Sequence, residues 1–153
     1  MKLIENCNAI DYVLEEKDRT LLHVVNDKKV MGSGIALEIK NRIPSAYTNY
    51  LEEDNHFGCI TFSDGCKVIN LGAQKGYGRN KRHLNYGALS HCIGAVWRYA
   101  NVRALASNEH FTGKPVEIVV PYLMGCDRAG GDWEVVLEVL DFYFKGNLTI
   151  CKL

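Results

Sequence analysis

Two glycine-rich loops stand where apolar runs give way to helical patterns. The stretch VMGSGIALEIKNR (residues 30–42) places a Gly-Ser-Gly triplet before an amphipathic run, and VPYLMGCDRAGGDWEVV (residues 120–136) repeats the arrangement. The first backbone N–H groups of a helix lack partners, and the helix dipole is positive there, so such loops can bind phosphate. Ligands of α/β sheets bind beyond the carboxyl ends of the strands. The two loops therefore predict one site that clamps a diphosphate without a lysine or a metal.

Each loop taken alone is also compatible with a simple turn. Neither contains the GxxxxGK[ST] pattern of a P-loop or a full GxGxxG. A P-loop ATPase and a Rossmann dehydrogenase are therefore disfavoured.

Two side chains near these loops could carry acid–base chemistry. His23 lies on an apolar strand-like run and Asp127 lies in the second loop. Histidine can act as a general acid or base near neutral pH, and a carboxylate can orient it or activate water. The alternatives are a hydrogen-bonded core histidine and an aspartate that bonds its own loop. The sequence does not decide whether His23 is catalytic or a core residue, or whether Asp127 is catalytic or bonds its own loop.

Strand-like and helix-like segments alternate along the chain. Short β-type runs occupy residues 2–5, 20–25, 59–62, 67–72, 116–121 and 148–153. Asp64-Gly65 reads as a hairpin turn, which predicts a mixed sheet. One helical stripe is formed by Leu89, Cys92, Ile93, Val96, Trp97 and Ala100, and another by Trp133, Val136, Leu137, Leu140 and Phe144, with Asp132 as N-cap. This alternation predicts an α/β domain with helices on both faces of the sheet.

Composition narrows the class of protein further. The 153 residues are 47% hydrophobic and carry zero formal net charge, which favours a single domain over residues 1–153 and a small ligand rather than nucleic acid. No apolar run is long enough for a membrane span and the start is unlike a signal peptide, so we expect a cytoplasmic monomer. The six cysteines lack CxxC spacing. Free thiols, no metal and no cofactor are therefore expected.

These segments together resemble the macro domains that bind ADP-ribose. LLHVVNDKKVMGSGIA resembles the family's first loop, VPYLMGCDRAGGDW its second phosphate loop, and LTICKL its closing strand. The resemblance covers nearly the whole chain. It implies a three-layer α/β/α fold with a mixed central sheet and ADP-ribose, or ADP-ribose 1''-phosphate, as ligand.

The resemblance also implies roles for individual residues. Asp11, on a loop, would accept a hydrogen bond from the adenine amino group, and Asn26 would hold the distal ribose. The two loops would line the diphosphate. The ligand-binding residues so predicted are Asp11, Asn26, Gly32, Ser33, Gly34, Ile35, Gln74, Gly125, Cys126, Arg128, Ala129 and Gly130.

Two branches of the family are similar to the chain, the glutamate-directed ADP-ribosyl hydrolases and the yeast-type ADP-ribose 1''-phosphate phosphatases. The first branch uses a lysine after the strand KVINL and an aspartate in the second loop, where this chain has Ala73 or Gln74 and Ala129. The spacing His23-x-x-Asn26 is more similar to the phosphatases. A metal-independent phosphatase with His23 and Asp127 as catalytic residues is therefore the leading prediction. The alternatives are a mono-ADP-ribosyl hydrolase acting on protein or nucleic acid, and a binding module without activity.

The basic segment QKGYGRNKRHLNY (residues 74–86) has three interpretations. It is either a solvated loop, a flap whose cations meet a terminal phosphate while a tyrosine stacks on adenine, or a grip for single-stranded nucleic acid. Zero net charge weakens the last of these, since nucleic-acid binding normally rests on many phosphate contacts.

Overall fold

A computed structural model describes residues 1–54, 57–78, 80–105 and 113–153. Arg79 of the basic segment lies outside these residues. The strands in the described part of the chain are β1 (Lys2–Glu5), β2 (Arg19–Asn26), β3 (Ile60–Phe62), β4 (Val68–Gln74), β5 (Glu117–Pro121) and β6 (Leu148–Lys152). The helices are α1 (Ala9–Leu14), α2 (Gly34–Arg42), α3 (Pro44–Glu52), α4 (Tyr86–Leu105) and α5 (Trp133–Phe144).

The strands form one mixed sheet in the order β1-β6-β5-β2-β4-β3. All neighbouring pairs are parallel except β3 and β4, which are antiparallel. A short 3₁₀ turn at Asp64–Cys66 joins β3 to β4, and Gly65 has a φ of 75° there. This positive φ is easily reached only by glycine. The predicted hairpin and the mixed sheet are both confirmed.

Each face of the sheet carries its own hydrophobic core. Leu22, Ile69 and Val120 pack with residues of α4 and α5 on one face. Leu21, Val68 and Val119 pack with residues of α1, α2 and α3 on the other. Successive side chains of a strand point to opposite faces, so strands covered on both sides need nearly continuous apolar runs. The result is the predicted three-layer α/β/α architecture.

The two helical stripes predicted from spacing form α4 and α5. In α4, Leu89, Cys92, Ile93 and Val96 are buried, but Trp97 is 44% exposed and lies 6.3 Å from the ring of Tyr143 on α5. Trp97 therefore does not belong to the buried stripe, because it lies at the margin where α4 meets its neighbour. Asp132 caps α5 as predicted, and its side chain accepts a hydrogen bond from the amide of Glu134.

None of the described helices is both long and apolar enough to cross a membrane.

Candidate functional site

A cavity of about 800 Å³ opens at the edge where the parallel strands end. Ligand pockets commonly have this volume. Its lining comes from the ends of β2, β4, β5 and β6, and from the two glycine-rich loops. The lining includes Asn8, His23, Asn26, Gly32, Ser33, Gly34, Ile35, Glu38, Gln74, Tyr77, Gly78, Tyr122, Gly125, Cys126, Asp127, Arg128, Ala129, Cys151, Lys152 and Leu153.

The first loop delivers the uncapped start of α2 to the cavity. Ser33 is the N-cap residue, and its side chain makes no capping hydrogen bond. The first amides of α2 are therefore not satisfied by the cap, and the positive end of the helix dipole faces the cavity. Gly34 has a φ of 58°, which lets the chain turn sharply from the loop into the helix.

The second loop is held in a tight curve by its own backbone. The amide of Gly131 donates to the carbonyl of Gly125 at 3.0 Å, and Gly125 and Gly130 have φ values of 74° and 73°. A Cβ atom on Gly131 would lie 2.7 Å from that carbonyl oxygen. Only glycine fits there, because the backbone atom it would meet cannot move without opening the loop.

The two loops face each other across the cavity. A Cβ atom on Gly34 would lie 4.0 Å from Nε of Arg128 in the second loop. The first loop therefore offers backbone amides to the cavity, and the second loop offers the guanidinium of Arg128. Of the predicted ligand-binding residues, the structure gathers Asn26, Gly32, Ser33, Gly34, Ile35, Gln74, Gly125, Cys126, Arg128 and Ala129 around this one space.

Asn26 shapes the first loop from within. Its Nδ2 donates to the carbonyl of Val30 at 2.8 Å, and its Oδ1 accepts from the amides of Lys28 and Val30. The hydroxyl of Tyr50 lies 2.6 Å from the backbone carbonyl oxygen of Asn26, to which it donates, and 2.9 Å from Oδ1. Because its amide group is occupied in this way, Asn26 supports the loop, and the predicted ribose contact stays a prediction.

His23 is buried and neutral. Its Nε2 lies 2.5 Å from Oδ1 of Asn70, while Nδ2 of Asn70 donates to the carbonyl of Ala46 and to Oγ1 of Thr61. Since Oδ1 of Asn70 can only accept, Nε2 of His23 carries the proton and Nδ1 is a bare acceptor. Burial lowers the pKa of His23 to about 4. The side chain is therefore uncharged near neutral pH and cannot act there as an imidazolium acid, which favours the core-histidine alternative.

The remaining second-loop residues differ in their surroundings. Asp127 lines the cavity. Burial raises the pKa of the Cys126 thiol to about 11, so that this thiol stays protonated. Ala129 is buried, and its carbonyl accepts from the amides of His83 and Leu84. Gly130 is not among the lining residues and packs against Arg82.

Asp11 does not lie on a loop, and that expectation is wrong. It belongs to the first turn of α1, where Asn8 is the N-cap and accepts from the amides of Ile10 and Asp11. The Asp11 side chain is 59% exposed, pairs with Arg42 at 2.7 Å and is not among the lining residues. Two other residues line the cavity instead, Asn8 at the N-cap of α1 and Glu38 on α2.

Sequence reasoning missed both of these residues. The spacing Asn8-x-x-Asp11 is typical of a helix that begins after an asparagine N-cap. It could have predicted that Asp11 lies in the first turn of a helix and not on a loop. Nothing in the sequence distinguishes Glu38 from any other exposed glutamate of a helix.

The basic segment contributes one aromatic side chain rather than cations. Tyr77 lines the cavity. Lys75 lies over the ring of Phe57, Arg82 lies over the ring of Tyr86, and His83 is buried with Nδ1 at 2.8 Å from the carbonyl of Lys75. Among the described cations of this segment, none lines the cavity.

The fold and the site together define a class, an α/β protein with two opposed glycine loops over one cavity. Solved structures with this architecture include a Bacteroides thetaiotaomicron protein (TM-score 0.77, 19% identity, covering 100% of this chain and 99% of that one). The macrodomain of Thermus aquaticus DarG is similar too (0.66, 18%, 99% and 95%). Thermosipho africanus DarTG in complex with ADP-ribose matches at 0.67 and 15%, over 100% of this chain and 42% of that one.

No protein-family model and no curated protein sequence matches the chain. The structural likenesses nevertheless extend over almost all of it, and the chain has the macrodomain fold that its sequence predicted.

Proposed function

We propose that the chain binds ADP-ribose in the cavity, with the diphosphate between the two glycine loops. The observation that carries the proposal is the approach of Gly34 to Arg128 across the opening. On one side the uncapped α2 N-terminus offers amides and a positive dipole, and on the other a guanidinium offers charge-assisted hydrogen bonds to phosphate. A structure with the same fold, that of Thermosipho africanus DarTG, is a complex with ADP-ribose.

The breadth of the lining supports a two-ended ligand. It runs from Cys151 of β6 to Gln74 of β4, and these two strands are separated in the sheet by β5 and β2. A nucleoside and a second sugar joined by a diphosphate would occupy the two ends at once. An inorganic phosphate or a mononucleotide would fill only part of this space.

Calorimetric titration of the native chain tests the proposal. We expect saturable one-to-one binding of ADP-ribose, and weaker binding of AMP, which lacks one phosphate and the distal ribose. An Arg128→Met variant should lose about tenfold in affinity, the value of a hydrogen bond to a charged group. Failure of the native chain to bind ADP-ribose would overturn the proposal.

We further propose that the bound ligand is ADP-ribose 1''-phosphate and that Asp127 activates the water that removes its phosphate. The supporting observation is that Asp127 is the carboxylate of the second loop and lines the cavity. In this reaction water attacks phosphorus as the carboxylate takes a proton from it, and the bond from phosphorus to the C1'' oxygen breaks. That oxygen leaves on ADP-ribose and takes up a proton from solvent, and the phosphate is released. His23 is neutral and buried, so the proposal gives it no role as an imidazolium acid.

Phosphate release by the Asp127→Asn variant tests this step. We expect release to fall about 100-fold, the lower range for loss of a general base, with little change in ADP-ribose affinity. Equal losses of both would indicate that Asp127 only positions the ligand. A native chain that binds ADP-ribose without releasing phosphate would contradict the phosphatase and favour a binding module or a hydrolase of another linkage.

A further inference from the structure

Glu38 on α2 lines the cavity next to Asn8, the N-cap residue of α1. Its Oε1 accepts from Nδ2 of Asn8 at 2.9 Å and lies 3.3 Å from Nη1 of Arg42. The Asn8 side chain is itself fixed, because its oxygen accepts two amides at the start of α1. Two donors on different helices therefore hold one oxygen of the carboxylate.

The second oxygen of Glu38 remains for a ligand. Within the described part of the chain, Oε2 takes part in no hydrogen bond or ion pair, and the side chain is 38% exposed. An oriented carboxylate with one oxygen in use and the other open to a cavity is a directional acceptor. It cannot donate a hydrogen bond.

The surroundings of Glu38 suit a flat heterocycle. Tyr122 and Leu153, which follow β5 and β6, line the same cavity, and the Tyr122 ring makes an edge contact with Trp133 at 5.5 Å. Gln74 lines the cavity from β4, which β5 and β2 separate from β6 in the sheet, and its Nε2 donates to the carbonyl of Gly76 at 2.8 Å. Lys152 also lines the cavity, and its Nζ lies 4.8 Å from the centroid of the Tyr122 ring. An aromatic side chain and a fixed carboxylate acceptor in one cavity match a base that presents an exocyclic amine.

We propose that Glu38 selects adenine, its Oε2 accepting a hydrogen bond from the exocyclic amino group. Asn8 and Arg42 are positioning residues that orient the carboxylate. Asp11 has an indirect role. Its carboxylate pairs with Nη2 of Arg42 and so holds the guanidinium that contacts Glu38. This inference rests on the proposed binding of ADP-ribose, and it transfers the adenine contact predicted for Asp11 to Glu38.

The test compares ADP-ribose with its hypoxanthine analogue, inosine diphosphate ribose, which has a carbonyl in place of the amine. The native chain should prefer ADP-ribose by about tenfold, the value of one hydrogen bond to a charged group. In Glu38→Gln the preference should shrink toward unity, because an amide can also donate to the carbonyl. Asp11→Asn should keep most of the preference, and Glu52→Gln, an exposed change on α3, should keep all of it.

The outcomes separate this inference from the function on which it rests. ADP-ribose binding with the same base preference in the native chain and in Glu38→Gln would overturn the role of Glu38. Loss of the preference in Asp11→Asn but not in Glu38→Gln would return that role to Asp11. No binding of ADP-ribose by the native chain would overturn the proposed function, and this inference with it.

Discussion

The pairing of His23 with Asn70 shows how a single hydrogen bond decides what a side chain can do. Both residues are buried and lie opposite each other in neighbouring strands. Asn70 uses its NH₂ group elsewhere, so it fixes the tautomer of His23, and Nδ1 is a buried acceptor without a hydrogen-bond partner among the described residues. Charging this imidazole would bury an ion without a counter-charge. The same residue type would be a general acid only where solvent or a carboxylate stabilised its charged form.

The pKa of His23 makes stability depend on pH in a defined interval. The unfolded chain binds a proton at His23 near pH 6.5, and the folded chain does so only near pH 4. Protons therefore favour the unfolded state, and the free energy of unfolding should fall as pH falls from 6.5 to 4. Urea unfolding across this interval measures the effect.

The His23→Gln variant isolates that contribution from the carboxylates. It should be less stable than the native chain at neutral pH, because the fit to Asn70 is changed. Its free energy of unfolding should nevertheless fall less steeply toward pH 4. Parallel pH profiles for the two chains would show that His23 is not the titrating group.

At the scale of the element, the start of α2 joins backbone geometry to ligand binding. Gly34 takes a φ of 58° that other residues reach at a cost, and it faces Arg128 across the cavity. Gly65, in the β3–β4 turn, has a similar φ of 75° but lies outside the lining of the cavity. Both glycines therefore adopt a left-handed backbone conformation, but only Gly34 lies where we propose that the ligand binds.

Alanine at each of these positions separates strain from ligand contact. Both Gly34→Ala and Gly65→Ala should lower the free energy of unfolding by about 1 kcal/mol, the cost of a left-handed conformation in a residue with Cβ. Only Gly34→Ala should weaken ADP-ribose binding, by about tenfold, because its methyl group enters the space between the loops. Equal affinities in both variants would remove the diphosphate from this position.

For the whole molecule, the sheet separates two hydrophobic cores, and the cavity lies at the edge where its parallel strands end. The first loop continues into α2 on one face, and the second continues into α5 on the other. A ligand held by both loops therefore ties the two layers together. Because such a ligand binds only the folded chain, its binding free energy adds to the stability of the fold.

Amide hydrogen exchange with and without ADP-ribose tests this coupling. Protection should increase in both loops, residues 30–36 and 121–131, and the thermal midpoint should rise. At a ligand concentration 100 times the dissociation constant, the stabilisation should be about 2.7 kcal/mol. Protection confined to one loop would contradict a clamp formed by two.

Local pattern predicted most of the elements because each depends on neighbours in the chain. All six β-type runs became strands, and the helix at Trp133–Phe144 begins after the predicted cap. The short helix α1 was missed because six residues are too few for a periodic signal. Trp97 was placed in the apolar stripe of its helix, but spacing does not show how wide the buried part of a stripe is, and Trp97 is 44% exposed.

The sequence by itself determined the α/β fold, the mixed sheet and the two glycine loops, since alternation, turn residues and glycine placement act over a few positions. The tertiary structure alone decided that Asp11 pairs with Arg42 outside the cavity and that Glu38 lines it. It also decided that burial against Asn70 keeps His23 neutral. Charge, tautomer and access depend on groups brought together from distant parts of the chain, and no local pattern carries that information.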